Sequence, residues 1–490
     1  MKIPAKGRAR EDIFKTLESY KDNDLDWKSG RVMGYVYYPG HKAHDVIDRA
    51  YTMFLTENAL DPTSFPSLLR LENEVVGMVV DVLRGDDQVV GNFTSGGTES
   101  LILAVKAARD YTRATKPHIT EPEIVMPVTA HASLYKAAHY LQVKPVVTAV
   151  HDNSFQADVT AMREAITDNT ILLVGSAPGY AHGVVDPISE IGQLALEKDI
   201  LCHVDACVGG IHLSYMRKLA YPVPEFDLTV PGVTSISADL HKYGYAAKGA
   251  SVVLYKNKEL RKHQIFACSR WTGYTVINPA VTSSKTGGPM AAAWAVMNYL
   301  GDAGYMEIVR EVMQATRTVM DGIDRIDGVQ ILGEPDMCMF AFAATSEKIN
   351  VYRLADAMKN KGWYLQPQFK RANSPANLHI SMSRLSVPRS EAFLKDFEET
   401  IEELKTQEID GETKTLQAEL KKLAIKFDQE TFFKLLAMAG ITGTELPDKM
   451  AKINQIMEVL PYDVSEWVLI EFLNNLMVPP HSPLPAQPLE

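Results

Sequence analysis

The chain reads as an α/β protein built on a mainly parallel sheet, followed by a smaller α+β unit and a helical extension. From Asp87 to about residue 305, short apolar runs alternate with helical stretches. Unbroken rather than alternating apolarity marks strands covered on both faces, the situation of a parallel sheet between helical layers. Near Tyr305 the spacing changes to a mixture of helices and strands, and beyond Leu404 strand texture stops. The 490 residues are ample for a large core and, by usual domain sizes, for about two to four structural units. The expected units are 1–60, an N-terminal segment, then 61–305, 306–404, 405–478 and a tail, 479–490.

In the first unit, charged segments surround a tyrosine-rich patch, Gly34-Tyr-Val-Tyr-Tyr-Pro-Gly40. Asp61-Pro-Thr-Ser-Phe-Pro66 then makes a turn before a helix expected over 68–83. In the large unit, strands are expected at 88–93, 123–127, 144–150, 170–175 and 200–205, with helices at 99–113, 133–141, 159–166 and 188–198. A β-branched run from Val233 to Ser237 supplies the last strand. The smaller unit offers helices at 306–323 and 351–361 and strands at 328–332, 337–343 and 378–383. In the extension, Leu416, Leu420, Leu423 and Phe427 recur at helical spacing, and Ile453, Met457 and Leu460 suggest a further helix. The proline-rich tail reads as disordered.

A net charge of −11, from 50 basic and 61 acidic residues, disfavours nucleic-acid binding and general attraction to anionic membranes. Cys202, Cys207, Cys268 and Cys338 form no C-x-x-C pair and lack the companions of a metal site, so they read as reduced thiols of a cytoplasmic protein. The basic N-terminus leads into no apolar core of a secretory signal, and no apolar run is long enough to span a bilayer.

Three segments carry chemistry. Thr94-Ser-Gly-Gly-Thr-Glu-Ser100 lies between a strand and a helix. Gly96 and Gly97 would let backbone N–H groups approach an anion, with the hydroxyls of Ser95 and Thr98 as further donors; alone, the segment reads more readily as a tight turn with a helix cap. His203-Val-Asp-Ala-Cys207 ends a buried strand with Asp205, a carboxylate where parallel sheets place ligands, or else a helix N-cap. Ser237-Ala-Asp-Leu-His-Lys242 ends the next strand with a lysine. A dry strand end and the nearby His241 and Lys248 would favour its neutral, nucleophilic amine; an isolated His-Lys pair would be a surface feature. Together, an anion cradle, a buried carboxylate and a reactive lysine on successive strand ends match the needs of pyridoxal 5′-phosphate. The cradle takes the phosphate, Asp205 keeps the ring nitrogen protonated, and Lys242 makes the covalent link. His131, at the start of a helix, could lie on the cofactor ring or simply cap the helix.

These motifs, with Arg31-Val-Met-Gly-Tyr-Val-Tyr37, Phe65-Pro-Ser-Leu-Leu-Arg-Leu-Glu-Asn-Glu74, His182-Gly-Val-Val-Asp-Pro187 and Gly287-Gly288, resemble the group II pyridoxal-phosphate decarboxylase family, nearest its sphingosine-1-phosphate lyase branch. The likeness runs in order over roughly residues 30–400. It implies a type I aminotransferase-like fold and an obligate homodimer, in which Thr286, Gly287 and Gly288 reach the neighbouring subunit's cofactor phosphate. It also places His203, Ser237 and His241 among the cofactor's neighbours, and Tyr37 and Lys248 along the substrate site. Carbon–carbon cleavage of a phosphorylated 2-amino-3-hydroxy substrate is the implied reaction; amino-acid decarboxylation is the alternative. Two departures bear on that choice. Asp61 stands where the lyases usually carry a phosphate-binding histidine, and Arg270 where an acidic residue would precede Trp271. Either would alter the site's charge if it faced the substrate, and Lys248 could still be a solvated loop lysine.

Overall fold

The computed structural model describes residues 3–407, 427–441 and 448–479. At its centre is a seven-stranded sheet in the order β1-β7-β6-β5-β4-β2-β3. The strands are β1 (Val90–Thr94), β2 (Glu123–Pro127), β3 (Lys144–Thr148), β4 (Thr170–Ser176), β5 (Leu201–Asp205), β6 (Ser235–Ala238) and β7 (Ser251–Tyr255). Neighbours from β3 through β6 run parallel; only β7 is reversed, pairing antiparallel with both β6 and β1. β2, β4, β6 and β7 are buried at every position, as expected of strands covered on both faces. β7 is the strand that the sequence reading did not anticipate.

The sheet order brings five strand ends to one edge of the fold. Register pairs Ser176 with Asp205 and Asp205 with Ser237, so the tips of β4, β5 and β6 are level. Crevices at such C-terminal strand ends are the usual ligand sites of open parallel sheets.

Glu72 fastens the β1 edge. Its buried carboxylate accepts from the Asn92 side chain and the Phe93 N–H, both at 3.0 Å, and pairs with the buried Lys285 ammonium. This joins the helix Pro66–Val82 and β1 to the segment that leads into a long helix, Gly287–Asp324. The long helix continues through residue 305, where a boundary was expected, and breaks at Gly301 with φ 55° and ψ −175°. A side chain at that φ would be strained, so glycine permits the bend.

β8 (Phe266–Cys268) and β9 (Val276–Asn278) form a hairpin, with Phe266, Trp271, Tyr274 and Ile277 exposed. The smaller sheet is antiparallel, in the order β10-β11-β13-β12, from β10 (Val329–Ile331), β11 (Met339–Ala344), β12 (Gln366–Gln368) and β13 (Asn377–Ser381). The N-terminal segment joins this unit: Met33 donates to the Tyr364 carbonyl and accepts from Ser381 N–H, both at 3.0 Å.

Three later helices, Gln429–Met438, Ala451–Val459 and Tyr462–Leu476, share an apolar cluster around Phe432, Ile456 and Val464. They dock on the smaller unit, where Asp356 accepts from the N–H groups of Met450 and Ala451 at 2.9 Å. Leu416, Leu420, Leu423 and all of the tail beyond Pro479 lie outside the described residues.

Candidate active site

A cavity of about 340 Å³ opens at the shared strand edge. The turn after β1 gives it Ser95, Gly96, Gly97 and Thr98; β2 leads to His131, β4 to Tyr180, β5 to Asp205 and Cys207, and β6 to Asp239, His241 and Lys242.

The cradle is built for close approach. A Cβ on Gly97 would lie 2.8 Å from both Asp239 Oδ2 and Cys207 Sγ, so no side chain fits there. Ser95 N–H is already taken, 2.6 Å from Glu99 Oε2, whereas Gly97 and Thr98 open the helix Gly97–Thr115, whose first N–H groups have no intrahelical acceptor. Thr98 and Ser133 hydroxyls bond at 2.8 Å, and His131 Nδ1 accepts from Ser133 N–H at 3.2 Å. His131 therefore caps its helix and faces the cavity at once.

Lys242 Nζ lies 2.9 Å from Asp239 Oδ2. Burial disfavours the ammonium, but the Asp239 charge and hydrogen bond outweigh it and hold the pKa above the ordinary lysine value. The expectation that dryness and neighbouring cations free the amine is thus reversed by a carboxylate three residues earlier, which was quoted in the motif without a role. His241 is pushed down to about 4 by burial, against Asp239, and accepts from Ala250 N–H at 3.1 Å, so its ring is neutral. Asp205 is buried and accepts from Cys207 N–H at 3.1 Å.

His203 and Ser237 lie behind this layer rather than in the cavity wall. The buried His203 bonds Ser235 and Ser237 hydroxyls at 2.8 and 3.2 Å, and Cys207 donates to Ser237 at 3.2 Å. They hold the tips of β5 and β6 together. Tyr37 packs edge-on against Tyr243, centroids 4.8 Å apart, and Lys248 Nζ sits 5.0 Å over the Tyr37 ring. Burial raises the Tyr37 pKa, opposed by the Lys242 charge. The Lys248 pKa is lowered by the protein packed around it and by Lys242, and its ammonium donates to the Tyr35 carbonyl at 3.2 Å.

Thr286, Gly287 and Gly288 do not line the cavity of their own chain. They begin the long helix against residues 54–59, where Gly287 N–H donates to the Glu57 carbonyl at 3.0 Å and Thr286 bridges to Asn58. Asp61, on the adjoining loop, is exposed and spends its carboxylate on Thr63 and Ser64. Arg270 is exposed on the β8–β9 hairpin. Neither reaches the cavity of its own chain.

Residues 26–345 match the pyridoxal-dependent decarboxylase conserved domain. The chain belongs to that family. The enzyme is a lyase that depends on pyridoxal phosphate, and the residues present fit the cofactor: the cradle tolerates only glycine at 97, and Asp239 Oδ1 is buried with no hydrogen-bond partner among the described residues. Residues 413–475 match a second family description, the C-terminal putative HTH domain of pyridoxal-dependent enzymes. The enzyme is 43% identical over 411 residues to a sphingosine-1-phosphate lyase of Oryza sativa, covering 82% of this chain and 74% of the relative. It is 32% identical to a probable L-aspartate decarboxylase of Pyrococcus furiosus, covering 74% of this chain and 94% of that one. The solved sphingosine-1-phosphate lyase of Burkholderia pseudomallei superposes with a TM-score of 0.78 at 32% identity, covering 87% of this chain and 97% of that one.

Tyr180, Ser133 and Asp239 are the site residues that the sequence reading missed. Asp239 alone had a signal, as an acidic residue one helical turn before the lysine. Tyr180 follows β4, two residues before the His182-Gly-Val-Val-Asp-Pro187 motif and outside it, and its bond to Gln366, 2.6 Å, spans 186 positions.

Proposed function

We propose that the enzyme breaks the Cα–Cβ bond of a phosphorylated 2-amino-3-hydroxy amine of the sphingoid-base type, releasing an aldehyde and phosphoethanolamine. The observation that carries this reading is the Tyr37–Lys248 pair beside Lys242. A retro-aldol cleavage needs an acceptor for the β-hydroxyl proton, which decarboxylation does not. Lys248 has no carboxylate within 4 Å among the described residues and its pKa is lowered; it would take up that proton in its neutral form, which both features favour. Tyr37, kept protonated by burial, suits orienting the hydroxyl.

Bound at Lys242, the cofactor supplies an electron sink for the pair left on Cα. The cradle from Ser95 to Thr98 would hold its phosphate, Asp205 would keep its ring nitrogen protonated, and His131 would lie against its ring. Lys242, paired with Asp239, would hold a proton ready for Cα. Neutral Lys248 would accept the β-hydroxyl proton as the aldehyde forms, and Lys242 would return a proton to Cα.

We also infer a cytoplasmic homodimer. The exposed Phe266, Trp271, Tyr274 and Ile277 favour burial against a second copy, and Thr286–Gly288, away from the cavity of its own chain, would complete the partner's phosphate site. Cytoplasmic residence is supported by the four free thiols.

Supplying a sphingoid-base phosphate and, separately, a panel of amino acids tests the reading. Aldehyde release supports it; CO2 from an amino acid, with no aldehyde, replaces it with decarboxylation. Lys248→Gln is expected to lower kcat for aldehyde release by about 10²-fold or more while leaving the cofactor's visible absorbance unchanged.

A further inference from the structure

A second cavity, about 360 Å³, adjoins the first and shares His131 and Tyr180 with it. One wall follows β2, through Thr129; the other is the segment after β12, through Phe369 and Arg371. Its lining contains no carboxylate and one guanidinium.

That guanidinium is held in place by neutral groups. Arg371 Cζ lies 5.3 Å from the Phe369 ring centroid and 5.0 Å from that of Tyr462, on the last described helix. Its Nη1 donates to the Lys370 carbonyl at 2.9 Å and the Glu458 carbonyl at 3.4 Å. Among the described residues no carboxylate lies within 4 Å of it, unlike the paired Arg84, Arg217 and Arg384. A second unspent donor faces the same chamber: Thr129 Oγ1 is buried and has no hydrogen-bond partner among the described residues. A cation fixed by ring faces and carbonyls keeps its charge for a visitor, and the planar guanidinium fork suits an oxyanion.

We propose that Arg371 binds the anionic end of the amine substrate, a phosphate or carboxylate oxyanion, in this second chamber, with the C-terminal helices holding the arginine in position. The proposal rests on the Lys242 cavity being where the amine reacts. It does not depend on which bond is broken. Thr129 adds a neutral donor to the same oxyanion, and Tyr462 reaches the chamber only through Arg371, as a positioning residue.

Binding to the cofactor-loaded enzyme, followed by calorimetry, tests this apart from turnover. Phosphoethanolamine is compared with ethanolamine, and alanine with ethylamine, so that one member of each pair lacks the oxyanion. Wild type is expected to prefer the anionic member of one pair by about tenfold or more, and which pair shows it distinguishes phosphate from carboxylate. Arg371→Gln should abolish the preference with cofactor absorbance intact, and Arg371→Lys should keep part of it. No preference in wild type, or an undiminished one in Arg371→Gln, overturns the proposal. If Arg371→Gln does not load cofactor, Tyr462→Ala decides: it must weaken the preference severalfold, and an unchanged preference again overturns the proposal. An enzyme that passes this test yet releases CO2 rather than aldehyde would lose the lyase reading and keep the anion site.

Discussion

Asp239 decides the protonation of Lys242, the residue proposed to bond the cofactor. With its carboxylate 2.9 Å from Lys242 Nζ, the cofactor-free lysine is an ammonium at neutral pH, and it must lose a proton before it can bond the cofactor aldehyde. Asp239→Asn removes that charge. The pH profile for cofactor loading, followed by visible absorbance, is expected to move to lower pH by about one unit or more. Gly97 makes a second prediction at this scale. Gly97→Ala places a methyl 2.8 Å from Asp239 Oδ2 and Cys207 Sγ, so the cradle must widen, at about 1–3 kcal/mol. Cofactor affinity should fall by about tenfold or more at that cost, read by titrating the cofactor-free protein. Both sites were partly visible in the sequence. Paired glycines between a strand and a helix announce an anion cradle. Whether the nearest charge to Lys242 is Asp239, His241 or Lys248 is a matter of how the turn after β6 folds, and sequence proximity pointed to the cations.

Among the elements, the strands most legible in the sequence were those buried on both faces, because their apolar runs are continuous. β7 escaped notice although it is wholly buried, since it follows the loop that carries the chemistry and runs against the parallel pattern. Of the long helix, 306–323 was anticipated; the backbone leaves helical geometry at Gly301 and the helix resumes beyond it. What joins the elements was less legible. Nothing in Leu-Glu-Asn-Glu74 announces that Glu72 pairs with Lys285, 213 positions away. Lys285→Ala would leave a buried carboxylate with only its two neutral donors, and removing one member of such a pair costs about 3–5 kcal/mol. A lowered thermal midpoint is the expected result, whereas replacing Glu72 and Lys285 together with apolar residues of similar volume should cost less than Lys285→Ala alone.

At the scale of the molecule, the buried histidines set the acid limit. Burial holds His182, His203, His241 and His379 at about 4 and His212 at about 3. In the unfolded chain each takes up a proton near pH 6.5, which the native state refuses, so their contribution to stability is lost as pH falls from about 6.5 toward 4. Asp186 and Asp336, raised to about 6 by burial, act oppositely by binding protons in the native state. Five against two leaves the histidines ahead. Stability is expected to fall by a few kcal/mol per pH unit below about pH 6, measured as the denaturation midpoint across that range. The helical character of the C-terminal region could be read from its spacing. Its seat on Phe369 and Arg371 could not, because that contact joins two units whose sequences carry no mark of each other.

That seat also has a consequence for how the chain is made. All the residues lining the Lys242 cavity precede residue 243, while Glu458 and Tyr462, which steady Arg371, come more than 200 positions later. Synthesis runs from the N-terminus, and earlier units fold first. On the proposed roles, a nascent chain would have the means to capture its cofactor well before Arg371 is fixed, and selectivity for an anionic substrate would be acquired only as the last helices dock.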